Sequence, residues 1–194
     1  MPATIDIQGT GIFWRTAKAK ADPETRIIIN RGGTRSGKTF SLIQLFCNIL
    51  LTERGKRCLI SRKTTPALKM SVMQDVIDYL LQLGVYTELT HNKTDKTITN
   101  PKTGSVIVFA AVDDPHKFQG PEWNYVWLNE ADAFTLADFR QINLRLTRLT
   151  SDSNGNKIFL DFNPSDFYTW IRDLEERRDS ETIVSTYQDN PFLS

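Results

Sequence analysis

Two cysteines and two histidines among 194 residues leave little for soft-metal chemistry. Cys47 and Cys58 lack the paired spacing of a zinc site, and His91 and His116 each stand apart from any Cys or second close ligand. Zinc is therefore not suggested, both histidines read as loop residues, and both thiols read as core residues of a reducing compartment. No apolar run approaches the roughly 20 residues that span a bilayer, which excludes a membrane-spanning helix. The start, Met1-Pro2-Ala3-Thr4-Ile5-Asp6, has no basic region leading into an apolar stretch, so no secretory leader is expected. A dominant charge is also missing. Lys and Arg number 24 against 23 Asp and Glu, a net of +1, which argues neither for nor against DNA because a local patch can bind phosphates. Internal repeats and low-complexity segments are absent.

What is present is an ordinary globular composition, 40% hydrophobic and 24% charged, long enough to bury a sizeable core as one α/β domain with at most a small appended subdomain. Its most specific feature is Gly32-Gly33-Thr34-Arg35-Ser36-Gly37-Lys38-Thr39, which fits the phosphate-binding loop pattern G-x-x-x-x-G-K-[ST]. A β-rich run, Arg26 to Asn30, leads into it and a helix-like stretch, Phe40 to Leu51, leads out. A loop between a strand tip and a helix start presents unpaired backbone N–H groups to anionic oxygens. Lys38 is expected to reach the β- and γ-phosphates, the Thr39 hydroxyl to sit on Mg²⁺, and Gly37 to keep the approach open where a side chain would collide with phosphate.

Further along, Arg57 to Ser61 reads as a second strand. Pro66 opens a helix carrying Leu68, Val72, Val76, Tyr79 and Leu80 at helical spacing and ending by Gly84. Thr94 to Asn100 and Ser105 to Phe109 flank a Pro101-Lys102-Thr103-Gly104 turn and predict a hairpin, added antiparallel at one sheet edge. After a polar loop from Asp113 to Glu122, Asn124 to Leu128 reads as a buried parallel strand. A helix over Leu136 to Leu146, a strand over Lys157 to Asp161, a helix over 167–177 and a strand over Glu181 to Thr186 complete the pattern. Strands alternating with helices predict a three-layer α/β fold, with a mostly parallel central sheet covered on both faces.

Candidate chemistry gathers at the strand tips. Asn129-Glu130 follows an apolar strand, where a carboxylate lies in the crevice of an open α/β sheet and can orient an attacking water; the plain alternative is the start of a loop. An Asp before the Glu would usually hold the Mg²⁺ shell; here the neutral Asn129 can only accept a hydrogen bond from a metal-bound water. Asn163, held extended by Pro164, is placed to sense a γ-phosphate or simply to end a strand. Arg35, inside the loop, can fork onto a phosphate or the neighbouring Glu. Arg140, Arg145 and Arg148 are surface salt-bridge residues by default. In a ring, one of them would reach a neighbour's γ-phosphate, with Arg145 and Arg148 favoured as nearer the helix end. Arg62-Lys63-Thr64, with Lys69, offers a basic group for sequence-indifferent contact with duplex DNA, or an ordinary solvated face.

The ordered set of Gly32–Thr39, Ser61-Arg62-Lys63-Thr64, Asp114-Pro115-His116-Lys117-Phe118-Gln119-Gly120, Trp127-Leu128-Asn129-Glu130-Ala131, Asp161-Phe162-Asn163-Pro164 and Thr186-Tyr187-Gln188-Asp189-Asn190-Pro191-Phe192-Leu193 resembles the large terminase subunit of tailed bacteriophages and prophages. The resemblance covers the chain from about residue 26. It implies a P-loop ATPase core of the RecA/ASCE type over residues 1–165 and a small lid or linker subdomain over 166–194. It also implies ATP and Mg²⁺ as cofactors, with Gly32, Gly33, Thr34, Arg35, Ser36, Gly37, Lys38, Thr39 and Asn163 around the nucleotide. Glu130, Lys38 and Arg35 would be catalytic, Arg145 or Arg148 a finger acting in trans, and Thr39 and Asn129 metal-shell residues. Implied partners are double-stranded DNA, the portal of a procapsid, a small terminase subunit and further copies in a ring expected to be five-fold, in the host cytoplasm during virion assembly. The isolated chain is expected to be monomeric and, ending at Ser194, to lack the family's nuclease domain. A nucleotide-gated binding module without turnover and a P-loop kinase are the other readings the loop allows.

Overall fold

The computed structural model describes residues 9–113, 121–148, 155–164 and 169–190. The segment Asp114–Gly120 with His116, and the final Pro191-Phe192-Leu193, lie outside the described residues. Among the described residues the α-helices and strands follow in the order α1 (Gly11–Ala21), β1 (Ile27–Gly32), α2 (Lys38–Thr52), β2 (Arg57–Arg62), α3 (Thr65–Met70), α4 (Val72–Gln82), β3 (Thr90–Asn92), β4 (Thr97–Asn100), β5 (Ser105–Ala111), β6 (Tyr125–Asn129), α5 (Leu136–Asn143), β7 (Lys157–Phe162), α6 (Thr169–Glu175) and β8 (Ser180–Ser185).

The strands form one sheet in the order β3-β4-β5-β2-β6-β7-β1-β8. From β5 to β8 every pairing is parallel, so these six strands point their carboxyl ends to the same edge. The hairpin β4–β5 is antiparallel at the other side, as its turn predicts, and β3 extends it by one strand. That third strand carries Thr90-His91-Asn92, too short and too polar to show an apolar alternation. It also corrects the reading of His91 as a loop residue: the ring Nδ1 sits 2.5 Å from the Tyr86 hydroxyl.

Apolar residues on both faces of the parallel strands explain the layering. Ile28, Ile60, Phe109, Trp127 and Phe159 pack with Leu42, Phe46 and Leu50 of α2, Val76 and Leu80 of α4, and Ile12 of α1. On the opposite face Ile27, Ile29, Leu59, Val126, Leu128, Ile158 and Leu160 meet Phe139 and Ile142 of α5 and Ile171 and Leu174 of α6. Cys47 and Cys58 are fully buried in the first of these layers, and burial raises both thiol pKa values. No helix among the described residues is long and apolar enough to cross a membrane.

The helix expected from Pro66 to Gly84 is two helices, broken at Ser71 (φ −132°, ψ −102°). The cause is local competition. The Ala67 carbonyl, which a continuous helix would give to the Ser71 amide, accepts from Arg62 Nη1 and from the Ser71 hydroxyl instead. Helix α5 also stops short of Leu146, because its end tightens into i→i+3 bonds and the Arg145 carbonyl accepts from the Trp123 amide. Residues 180–185, which the resemblance assigned to a lid subdomain, form β8 and pair along their length with β1.

Candidate nucleotide-binding site

The turn 33–37 joins the tip of β1 to the start of α2, at the edge where the parallel strands end. Its backbone is set by specific demands. Gly32 lies so near β8 that a Cβ there would stand 2.3 Å from Ser185 Oγ and 2.4 Å from the Ser185 carbonyl. Gly37 adopts φ +87°, a left-handed conformation that itself favours glycine. Arg35 holds φ +65°, uncommon for a residue with a side chain, and its carbonyl accepts from Asn190 Nδ2 at 2.8 Å. Ser36 is buried with its hydroxyl 3.0 Å from that of Ser185, while Gly33, Thr34 and Arg35 are exposed. The loop is thus braced from behind by β8 and the turn that follows it.

Lys38 opens α2 and is 7% exposed. Its ammonium donates to Asn163 Oδ1 at 2.6 Å and to the Gly33 carbonyl at 3.2 Å. Burial lowers its pKa, and the nearby Asp161 and Asp132 oppose that shift. Thr39 Oγ1 donates to Asp161 Oδ2 at 2.8 Å. Asp161 lies between buried Leu160 and Phe162 in β7, is 1% exposed and pairs in register with Asn129 of β6. Its carboxylate also accepts from Trp127 Nε1 at 2.7 Å and from Asn129 Nδ2 at 3.1 and 3.2 Å. Burial raises the Asp161 pKa, and these three donors and Lys38 pull it down. The sequence reading missed this residue. The signal was there in Ile158-Phe159-Leu160-Asp161-Phe162, a lone carboxylate inside a strand otherwise made for the core.

Glu130 follows directly, in the left-handed region at φ +54°, ψ +59°, with its side chain 58% exposed. Its carboxylate pairs with Arg62 Nη2, from the tip of β2. That partner is not Arg35, the arginine considered from sequence. The pairing also removes Arg62 from the proposed DNA-contact group, since it is 8% exposed and its other nitrogen serves Ala67 and Ser71. Lys63 is bound as well, to Asp138 Oδ2 at 2.6 Å. Lys69 stays exposed.

Lys38 thus meets Asn163, and Thr39 meets Asn129 through Asp161, with Glu130 next in the chain to Asn129 and paired to Arg62, whereas Arg145 and Arg148 lie elsewhere. The Arg145 carbonyl and the Arg148 amide bond to Trp123, just before β6 begins, and burial, with the Arg148 charge second, lowers the pKa of Arg57 at the start of β2. Six residue steps of largely extended chain lead from Trp123 to Asn129, about 20 Å. Both arginines stand at the opposite end of the sheet from their own chain's phosphate loop. Among the described residues no group of three or more His, Cys, Asp or Glu could hold a metal ion. Thr39, Asn129 and Asp161 nonetheless bring hard oxygen donors together with one carboxylate, which fits Mg²⁺, an ion that takes one or two carboxylates and completes its shell with phosphates and water.

The phosphate-loop sequence thus lies at the carboxyl edge of a mostly parallel sheet, between a strand and a helix, with the Asp161 carboxylate on the neighbouring strand, which is a P-loop α/β arrangement. The family model described as "Phage terminase large subunit" matches residues 24–194, and the chain belongs to that family. No curated protein matches the sequence. Among solved structures, the large terminase from the thermophilic bacteriophage D6E is similar at a TM-score of 0.77 and 20% identity, covering 97% of this chain and 48% of that one. A second structure of that terminase, in complex with ATP-γ-S, gives 0.74 at 19% identity, over 96% and 47% of the two chains. The large terminase ATPase domain of Thermus phage P74-26 gives 0.70 at 13%, over 93% and 82%. At these identities the likeness shows the fold. The chain spans about half the length of the D6E terminase, 48%.

Proposed function

We propose that this chain hydrolyses ATP in a Mg²⁺-dependent reaction, as the motor module that drives double-stranded DNA into the procapsid of a tailed phage. The observation that carries the reading is that Lys38 and Thr39, opening α2, bond to Asn163 and Asp161 at the end of β7, on the same sheet edge where Glu130 follows β6. It is supported by membership of the terminase family and by the ADP and ATP-γ-S complexes of the similar D6E protein.

The loop amides and Lys38 bind the β- and γ-phosphates, and Asn163 gives up the Lys38 ammonium when phosphate takes it. That exchange would pass the state of the γ-phosphate to the segment after Pro164. Bound Mg²⁺ would neutralise phosphate charge, held through Thr39 and Asn129. Glu130 orients the attacking water and takes its proton, and Arg62 fixes where that carboxylate waits. Arg145 or Arg148 would act only on a neighbouring subunit's nucleotide, since neither lies near its own. A ring on the portal, fed by a small terminase subunit, is the assembly that supplies such neighbours.

The test is steady-state phosphate release by the purified chain with Mg²⁺, with and without duplex DNA, beside a Lys38→Ala variant. Hydrolysis that depends on Mg²⁺ and disappears in the variant is expected. Turnover unaffected by Lys38→Ala overturns the proposal. ADP formation that needs a small-molecule acceptor instead of water would mark a kinase.

A further inference from the structure

The strand tip that should carry the metal's negative charge carries an amide. Asn129 occupies that place on β6, and its Nδ2 is turned onto the carboxylate of Asp161, its register neighbour on β7. The same carboxylate accepts the hydroxyl of Thr39, the loop residue whose oxygen is the expected metal ligand. A buried carboxylate is a poor device for holding a fold, because an ion taken out of water costs several kcal/mol in desolvation and an apolar residue of like volume would pack β7 as well. Its position therefore calls for a partner of opposite charge. Lys38 and Arg62 both act on the carboxylate electrostatically, but neither bonds to it: the Lys38 ammonium is directed to Asn163 and Gly33, and the Arg62 guanidinium to Glu130 and the α3–α4 break.

We propose that Asp161 is the anionic group of the Mg²⁺ shell in this chain, moved one strand along from the position that Asn129 occupies. It acts as a positioning residue, through the Thr39 hydroxyl and through metal-bound water, and Asn129 holds its carboxylate in place. The Asn129–Asp161 pair is then a transposed version of a carboxylate–amide pair, with the charge on β7 instead of β6. This rests on the nucleotide-site reading above.

The experiment measures binding of a fluorescent ADP with Mg²⁺ and with excess EDTA, taking the ratio of the two dissociation constants as the metal's contribution. It is run on the wild type, on Asp161→Asn and on the double variant Asn129→Asp/Asp161→Asn, which restores one carboxylate and one amide to the pair. Free Mn²⁺, counted by electron paramagnetic resonance in the same ADP mixtures, gives metal affinity independently of turnover. The expected result is a ratio above about tenfold for the wild type (about 1.4 kcal/mol), a fall below about threefold in the single variant with EDTA-state binding kept, and recovery in the double variant. An equal ratio in wild type and Asp161→Asn overturns the assignment while leaving the nucleotide site standing. Loss without recovery in the double variant overturns it too, since a disturbed Thr39–Trp127 network would then explain the loss. If Asp161→Asn does not fold, the double variant decides alone. A wild type that binds no ADP sinks the nucleotide-site reading itself.

Discussion

Replacing Glu130 with Gln separates the chemistry of this site from its architecture. The side chain is 58% exposed, and its described partner is Arg62, so the fold draws little from it. A half-solvated ion pair contributes about 0–1 kcal/mol, and Gln keeps a carbonyl oxygen for the same guanidinium. The left-handed backbone at φ +54° is equally uncomfortable for Glu and Gln, so that cost cancels in the comparison. Melting temperature should therefore move by no more than about 4 °C. Nucleotide affinity should stay within about threefold, roughly 0.7 kcal/mol, because Lys38 and the loop amides are untouched. Turnover is another matter. A positioned general base contributes about 10²–10⁴-fold, or roughly 3–5 kcal/mol of barrier. Phosphate release under single-turnover conditions, beside titration with fluorescent ADP, reads both quantities. Hydrolysis within about threefold of the wild type, at unchanged affinity, would refute Glu130 as the group that orients water.

Three further outcomes follow from the surroundings of the loop. Asn190→Ala removes the 2.8 Å bond to the Arg35 carbonyl and should weaken ADP binding several-fold, with about 1 kcal/mol lost from stability; titration and chemical denaturation measure these. Gly32→Ala drives a methyl into the Ser185 carbonyl, which no rotamer change relieves, and should cost about 1–3 kcal/mol or more by thermal melting. Asp138 is partly buried, but Lys63 and the amide and hydroxyl of Thr135 outweigh that and hold its pKa below the usual carboxylate range. A carboxylate with a depressed folded-state pKa stabilises above its unfolded value of about 3.9 and loses that contribution as pH falls through the folded one. Asp138→Asn should therefore lower stability by about 1 kcal/mol at pH 7, a difference that shrinks as the pH falls below about 3.9, read from denaturation curves across that range.

Local signals carried much of this structure. The phosphate loop announced β1 and α2 because a turn of that composition has few other uses, and the apolar runs at 57–61, 124–128 and 157–161 could only be buried strands. Glu130 and Asn163 were legible for the same reason, as polar residues at the ends of such runs. What stayed hidden depended on strand order. That β7 lies between β6 and β1 is written in no single segment, yet it alone brings Asp161 beside Asn129 and Thr39. Arg62 looked like surface charge until the break at Ser71 and the turn at Glu130 enclosed it. Arg145 and Arg148 read from sequence as surface residues or as arginines for a neighbour's γ-phosphate, and their distance from their own loop was not legible. The chain runs back along α5 and leaves them at the sheet's far end.

The placement of β1 between β7 and β8 also governs when this protein can become functional during synthesis. Its two partners, β7 and β8, are both made late, and Thr39 meets Asp161 across 122 positions of sequence. A chain leaving the ribosome amino end first therefore carries three consecutive isoleucines with both strand edges bare until more than 150 residues have been made. Parallel pairing over such separations is slow, and the exposed edges invite association with other chains in the interval. Truncated or stalled products should accumulate as aggregates rather than as nucleotide-binding intermediates. The site assembles only when the sheet does.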